Sequence, residues 1–194
     1  MKTGYITSDH APHAAPMGVS TAGGWLARRW YYTPKSRRAY SVRQVAPGDR
    51  RLLAEFAMSL GQATTDRDLD SVRELSDMVF DRVLAGGSDM AAGFAALEGT
   101  SAGDRVIGVT AYAPSSAEEA TFTIAVASTF RDEQVGHTLL TTLIRHAKRV
   151  GIRRLRGEML WSNRAMQLLA QSTGFAVEPL TGDRTRRSLV LTLK

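Results

Sequence analysis

Three features of the sequence predict an α/β (α+β) fold in which a mixed, mainly antiparallel central sheet carries flanking helices. Between Met90 and Pro114, two short, weakly alternating apolar stretches flank a Gly-rich turn, which is the pattern of a hairpin. Segments with helical spacing of apolar residues lie on both sides of them, ahead between Leu52 and Val83 and behind between Leu139 and Val150. The stretch Ala125–Gly151, AVASTFRDEQVGHTLLTTLIRHAKRVG, runs from a short strand through a polar turn into a basic amphipathic helix, with one glycine, Gly136, at the join.

The elements follow in order. Residues 1–38 read as a flexible or surface-packed extension, rich in Gly, Ala, Pro, Ser and Thr up to Gly24. They end in WLARRWYYTPKSRR, where Trp25, Trp30, Tyr31 and Tyr32 stand among five basic residues. This part is expected to be dispensable for the fold, and a partner or nucleic-acid arm is the sharper alternative. From Tyr40 the chain alternates briefly and turns at Pro47-Gly48. A helix follows with Leu52, Leu53, Phe56 and Leu60 on one face and Gly61 at its end. A second helix opens with the capping box Ser71…Glu74, carries Val72, Leu75, Val79, Phe80 and Val83, and stops at Gly86-Gly87. After the hairpin, EEATFTIAVAS is a third strand, with Phe122, Ile124 and Val126 on one face. The helix after the turn has the stripe Leu139, Leu140, Leu143, Ile144, Ala147 and Val150 and closes at Gly151. IRRLRGEML is the next strand, and Ser162 is placed to cap a last helix that ends at Gly174. FAVEPL and SLVLTLK complete the sheet. One parallel pair is expected, from the Phe122 strand through the Leu139 helix to the Leu155 strand, by a right-handed crossover.

Composition narrows the function classes. The chain has 194 residues, 43% of them apolar, enough for one sizeable core. It has no cysteine, which excludes disulfides, thiolate zinc sites and a cysteine nucleophile. No apolar run reaches the roughly 18 residues of a membrane span, and no secretory apolar core is seen at the N-terminus, so a cytoplasmic protein without a membrane partner is expected. The net charge of +6 favours an anionic partner such as a phosphorylated cofactor. Basic and aromatic residues are not interleaved through the chain, which makes nucleic acid the weaker choice.

The abrupt strand-to-helix turn suits an anion. A helix N-terminus presents unpaired N–H groups and the positive end of the macrodipole, and Gly136 would let the backbone approach a phosphate. On local chemistry alone Gly136 equally serves a bend or close packing.

Here the sequence resembles the GNAT superfamily of acyl-CoA-dependent N-acyltransferases, over about residues 40–194. The superfamily's pyrophosphate motif, Q/R-x-x-G-x-G/A, reads Arg131-Asp132-Glu133-Gln134-Val135-Gly136, with Gln134 at the middle glycine. In GEMLWSNRAMQLLAQSTGF, Asn163, Met166, Leu169 and Gly174-Phe175 fall at the spacing of the superfamily's closing strand and helix. The texture is similar to the branch of bacterial protein lysine acetyltransferases. The resemblance implies a splayed strand pair holding acetyl-CoA, or another acyl-CoA, as co-substrate without a metal. The backbone of Ala125, Val126 and Ala127 would pair with the pantetheine. The N–H groups of Arg131, Asp132, Glu133, Gln134, Val135, Gly136 and His137 would hold the pyrophosphate, and Asn163 would join the cofactor site. His137, Arg145, Lys148 and Arg149 could offset the two acidic residues, although a solvated helix face accounts for them better.

The expected reaction is direct transfer of an acetyl group to a primary amine of a small molecule or a protein lysine, by a monomer or homodimer. The attacking amine must be neutral, so a general base helps. A backbone N–H near Val126 or Ala127 would hold the oxyanion. The branch's glutamate position falls on Thr121. Glu119, in phase with it, is the first candidate base, and Glu158 on the neighbouring strand is the second. The superfamily's tyrosine acid is replaced by Ala170. A catalytically weak acyl-CoA-binding regulatory domain is therefore the alternative reading.

Overall fold

The computed structural model describes residues 28–33, 35–63, 75–85, 90–101, 103–131 and 134–194. Eight strands form one sheet: β1 Arg29–Tyr32, β2 Ala39–Gln44, β3 Ala92–Thr100, β4 Gly103–Pro114, β5 Glu119–Val126, β6 Arg154–Leu160, β7 Ala176–Leu180 and β8 Asp183–Thr192. Their spatial order is β1-β2-β3-β4-β5-β6-β8-β7. The mainly antiparallel sheet and its single parallel pair, β5 with β6, match the sequence expectation.

β1 lies inside the segment that reads as an extension. It pairs with β2 from Arg29↔Val42 to Tyr32↔Ala39. Tyr31 stacks on Tyr40 with ring centroids 5.4 Å apart, and Arg28 donates to Ser41 Oγ at 2.7 Å and pairs with Asp104. The sequence hides this strand because it is short and its aromatics alternate outward: Trp30 and Tyr32 remain exposed.

Helices α1 (Arg50–Ala63) and α2 (Asp77–Leu84) cover one face of the sheet. Leu53, Phe56 and Leu60 of α1, with Met78 and Val79 of α2, bury against Val109, Ala111 and Ala113 of β4. Ahead of α1, Asp49 accepts the Ala46 N–H at 2.8 Å and takes a two-pronged bond from Arg43, 2.6 Å in each arm. α2 is wound as a π-helix. The capping box Ser71…Glu74 and the stop at Gly86-Gly87 lie outside the described residues.

Helices α3 (Val135–Arg149) and α4 (Arg164–Ser172) cover the other face. Leu139, Leu140, Leu143 and Ala147 of α3 are fully buried, as their spacing predicts. α4 is capped by Asn163 rather than Ser162: the Asn163 side chain accepts the Met166 N–H at 3.0 Å. Tyr40 joins β2 to the first turn of α3 through a 2.9 Å bond between its hydroxyl and Thr138 Oγ1. Burial pushes the Tyr40 phenol up to about 12, so it remains an O–H at neutral pH.

Candidate active site

β5 and β6 are paired over only three positions, Glu119↔Arg154, Ala120↔Leu155 and Thr121↔Arg156. Their other partners continue further. β4 stays in register with β5 to Val126, and β8 with β6 to Leu160. The two central strands therefore diverge after Thr121 and leave a wedge-shaped opening in the sheet.

The next step of the register would set Phe122 against Gly157. A Cβ on Gly157 would lie 2.6 Å from Phe122 Cε1 and 2.9 Å from Cζ, so the Phe122 ring occupies the place of a side chain there. Phe175 closes on the ring from the side, with centroids 4.9 Å apart. A lone glycine inside a strand, as Gly157 is in IRRLRGEML, is the sequence signal of such close approach.

Which backbone groups face the opening follows from the alternation of the strand. The Ala127 N–H bonds to the Ile107 carbonyl at 2.9 Å, toward β4. In an antiparallel ladder, residues two apart point the same way, so Ala125 opposite Val109 also turns to β4. Conversely, the Arg154 N–H bonds to the Glu118 carbonyl at 3.0 Å, so the even residues face β6. Past the end of pairing, the backbone of Ile124 and Val126 is left without a β6 partner. Of the expected Ala125, Val126 and Ala127, the register turns the backbone of Val126 toward the opening, together with Ile124, and those of Ala125 and Ala127 toward β4.

Beyond β5 the chain makes a 3₁₀ turn, Ser128–Phe130, and then the polar turn into α3. The Arg131 N–H points back to the Ser128 carbonyl at 3.4 Å, closing this turn. Asp132 and Glu133 lie outside the described residues. Gln134 is the N-cap of α3 with φ 60°, a left-handed position where glycine is at ease, which explains physically why the motif carries glycine there. The first bond of the helix runs from the Thr138 N–H to the Gln134 carbonyl. The N–H groups of Val135, Gly136 and His137 thus lead the helix without intrahelical partners. A Cβ on Gly136 would sit 3.3 Å from Leu169 Cδ2 of α4 and 3.6 Å from Val126 Cγ2 of β5. Gly136 therefore meets the close-packing reading and also stands directly at the opening. Arg145, Lys148 and Arg149 are exposed, and Arg145 is already about 13 Å along the helix from Gly136 at about 1.5 Å per residue. Of the four basic residues considered, only His137 stands at the turn. Asn163 spends its side-chain oxygen on the α4 cap.

The two candidate bases share one face of the sheet but not one place. Ala125 packs against the cluster under α1 and α2, so the odd residues of β5 point to that side. The Glu119 carboxylate lies 3.5 Å from both Arg154 and Arg156, at the paired end, before the strands separate. Glu158 is two residues past the last paired position, on the same face of β6 as Arg156. It stands beside the opening, exposed, with Arg186 at 3.0 Å. Ala170 is wholly buried, and nothing at its position can donate a proton. On the α1/α2 side a small apolar pocket of about 10 Å³ is lined by Leu53, Phe56, Leu75, Val79, Phe80 and Val109.

Comparison with known proteins agrees with this architecture. Among solved structures, an acetyltransferase of the GNAT family from Streptococcus pneumoniae superposes with a TM-score of 0.60 at 19% identity, covering 80% of this chain and 99% of that one. The GNAT domain of S. lividans PAT gives 0.59 at 18% identity, over 95% of this chain and 100% of that one. The yncA protein of Salmonella typhimurium, solved with its cofactor acetyl-CoA, gives 0.58 at 17% identity, over 80% and 94%. Curated proteins provide no significant sequence match. The sequence profile described as the acetyltransferase (GNAT) family matches residues 64–175, more than half of the chain. The chain therefore belongs to the acetyltransferase (GNAT) family and is an acetyltransferase enzyme.

Proposed function

We propose that the protein transfers an acetyl group from acetyl-CoA to a primary amine by direct attack, with the opening between β5 and β6 as the reaction site. The observation that carries this reading is the coincidence of three features: a strand pair that ends at Thr121↔Arg156, an unpaired backbone at Ile124 and Val126, and a helix N-terminus led by Val135, Gly136 and His137. Acetyl-CoA supplies an acetyl thioester, amides along its pantetheine and a pyrophosphate. The chain offers a match for each. The backbone of Ile124 and Val126 accepts and donates as an additional strand would. The N–H groups at the start of α3 and the positive helix end take the pyrophosphate. The Val126 N–H is free to hold the thioester oxygen as charge develops on it, a contribution of about 2.7–4 kcal/mol for one fixed donor.

The amine nitrogen forms the new C–N bond as the C–S bond breaks, and its proton must leave. Its position beside the opening ranks Glu158 ahead of Glu119 as the acceptor of that proton, the reverse of the order expected from the sequence. Glu119 serves as the anionic partner that holds Arg154 and Arg156 at the paired end. With Ala170 in place of a tyrosine, the thiolate takes its proton from water. The acceptor amine approaches from the α1/α2 side, the face of the sheet that carries both Glu119 and Glu158. Small-molecule amines and protein lysines both supply such an amine.

The test is release of free thiol from acetyl-CoA in the presence of a panel of amines and lysine peptides. Amine-dependent thiol release with the acetylated amine identified by mass spectrometry supports the reading. Tight CoA binding with no acetylated product from any amine would replace it with the regulatory-domain reading.

A further inference from the structure

The basic segment before β2 is left unexplained by the fold alone. Thr33 to Arg38 is the turn between β1 and β2, and it carries Lys35, Arg37 and Arg38. It closes tightly: the Arg37 N–H bonds to the Thr33 carbonyl at 3.1 Å, and the Arg38 N–H to Thr33 Oγ1 at 2.8 Å. Arg37 holds a left-handed φ of 52°, a strained position for a residue that is not glycine. Three exposed cations thus sit within four residues.

This turn stands next to the candidate phosphate turn. The Arg38 guanidinium lies over the Phe130 ring at 4.4 Å, and Phe130 immediately precedes Arg131. Tyr40, two residues further on, holds Thr138 in the first turn of α3. The charge of Arg38 is not consumed where it sits. Its partner Glu98 is nearly buried and is also bonded to Arg105 at 2.6 Å, so one carboxylate is shared by two arginines. The trio Arg38, Glu98 and Arg105 keeps one formal positive charge, and Arg38 is 41% exposed. With Lys35 and Arg37 the patch is strongly cationic. The pyrophosphate is provided for by the start of α3. Coenzyme A carries one more phosphate, on its ribose.

We infer that Arg38, supported by Lys35 and Arg37, binds the 3′-phosphate of the cofactor. The inference rests on the acetyl-CoA reading above and adds to it a residue outside the family-matched segment. It also gives the basic-aromatic segment a function: β1 anchors the turn whose Arg38 lies over Phe130, one residue before Arg131.

The experiment is titration of the full chain with CoA and with 3′-dephospho-CoA, using Arg38→Gln, Lys35→Gln and Arg37→Asn singly and together. Asparagine suits the left-handed position, and Glu98 keeps Arg105, so melting temperatures report whether each variant folds. Loss of one such contact is expected to weaken CoA binding about fivefold near 0.1 M salt, with dephospho-CoA unchanged. The difference should shrink near 1 M salt, where the screening length falls from about 10 Å to about 3 Å. Unchanged CoA affinity in the folded triple variant overturns the inference, as does an equal loss with both ligands. If the three residues set affinity for duplex DNA and not for CoA, the patch serves nucleic acid and the inference falls. Failure of the unaltered chain to bind either nucleotide instead overturns the donor reading itself.

Discussion

Placing a carboxylate at Gly136 tests the turn most economically. The Cβ of Gly136→Asp would lie 3.3 Å from a terminal methyl of Leu169 and 3.6 Å from Val126 Cγ2. The contact is tight but made with flexible side-chain ends, so the neighbours need yield only a few tenths of an ångström. Aspartate is the better helix former of the two by a few tenths of a kcal/mol and suits the first turn of a helix. The fold is therefore expected to survive with a melting temperature close to that of the parent. Binding is a different matter. The new charge would stand about 5 Å from a phosphate held by the Val135–His137 N–H groups, a repulsion of about 3 kcal/mol at an effective dielectric constant near 20. That corresponds to roughly a hundredfold loss of CoA affinity, measurable by calorimetry. Gly136→Ala adds the same Cβ without charge and should bind within a few-fold of the parent. A folded Gly136→Asp protein with parental CoA affinity would refute the reasoning.

Other outcomes follow from the geometry. Glu158→Gln should slow acetyl transfer by about 10²–10⁴-fold at neutral pH, recovering at alkaline pH where the amine is already neutral, whereas Glu119→Gln should lose less rate; the opposite ranking in pH–rate profiles returns the assignment to Glu119. Gly157→Ala forces the Phe122 ring from its place and should cost about 1–3 kcal/mol in denaturant unfolding, and an unperturbed melt would show that the ring is not wedged there. A chain beginning at Arg38 loses β1 with its Tyr31–Tyr40 stack and the Arg28 contacts, and should melt several degrees lower; an unchanged melting temperature would make β1 a passenger. His146 is buried beside Tyr112 and Phe94, and burial, aided by the Arg149 charge, holds its pKa below the ordinary 6.5. The unfolded chain then binds the proton more readily, so this stability is present above pH 6.5 and is lost as the pH falls below it; His146→Gln should flatten the fall in melting temperature between about pH 7.5 and about pH 5.5.

What was legible in the sequence had a periodic or compositional signal. The stripe Leu139, Leu140, Leu143 and Ala147 placed α3, and the glycines after it and after α4 marked their ends. The order of strands, with the chain crossing over through α3, fixed which pair would be parallel. β1 escaped because four residues with outward aromatics carry no burial pattern. The details of the site escaped for a different reason. Whether Ala125 or Val126 faces the opening depends on the parity of the strand, and parity is set by the β4 partner, which a single sequence does not name. The ranking of Glu119 and Glu158 depends on where the pairing of β5 with β6 stops, at Thr121↔Arg156, a register between residues 35 positions apart. At the start of α4 either Ser162 or Asn163 can cap by residue type, and the structure uses the Asn163 side chain, which accepts the Met166 N–H.

The most direct test of the central claim is a crystal structure of the protein with CoA. The expected result places the pantetheine along the backbone of Ile124 and Val126, the pyrophosphate on the N–H groups of Val135, Gly136 and His137, and the sulfur nearer to the Glu158 carboxylate than to that of Glu119. Density for the cofactor elsewhere, with the opening between β5 and β6 empty, would contradict it.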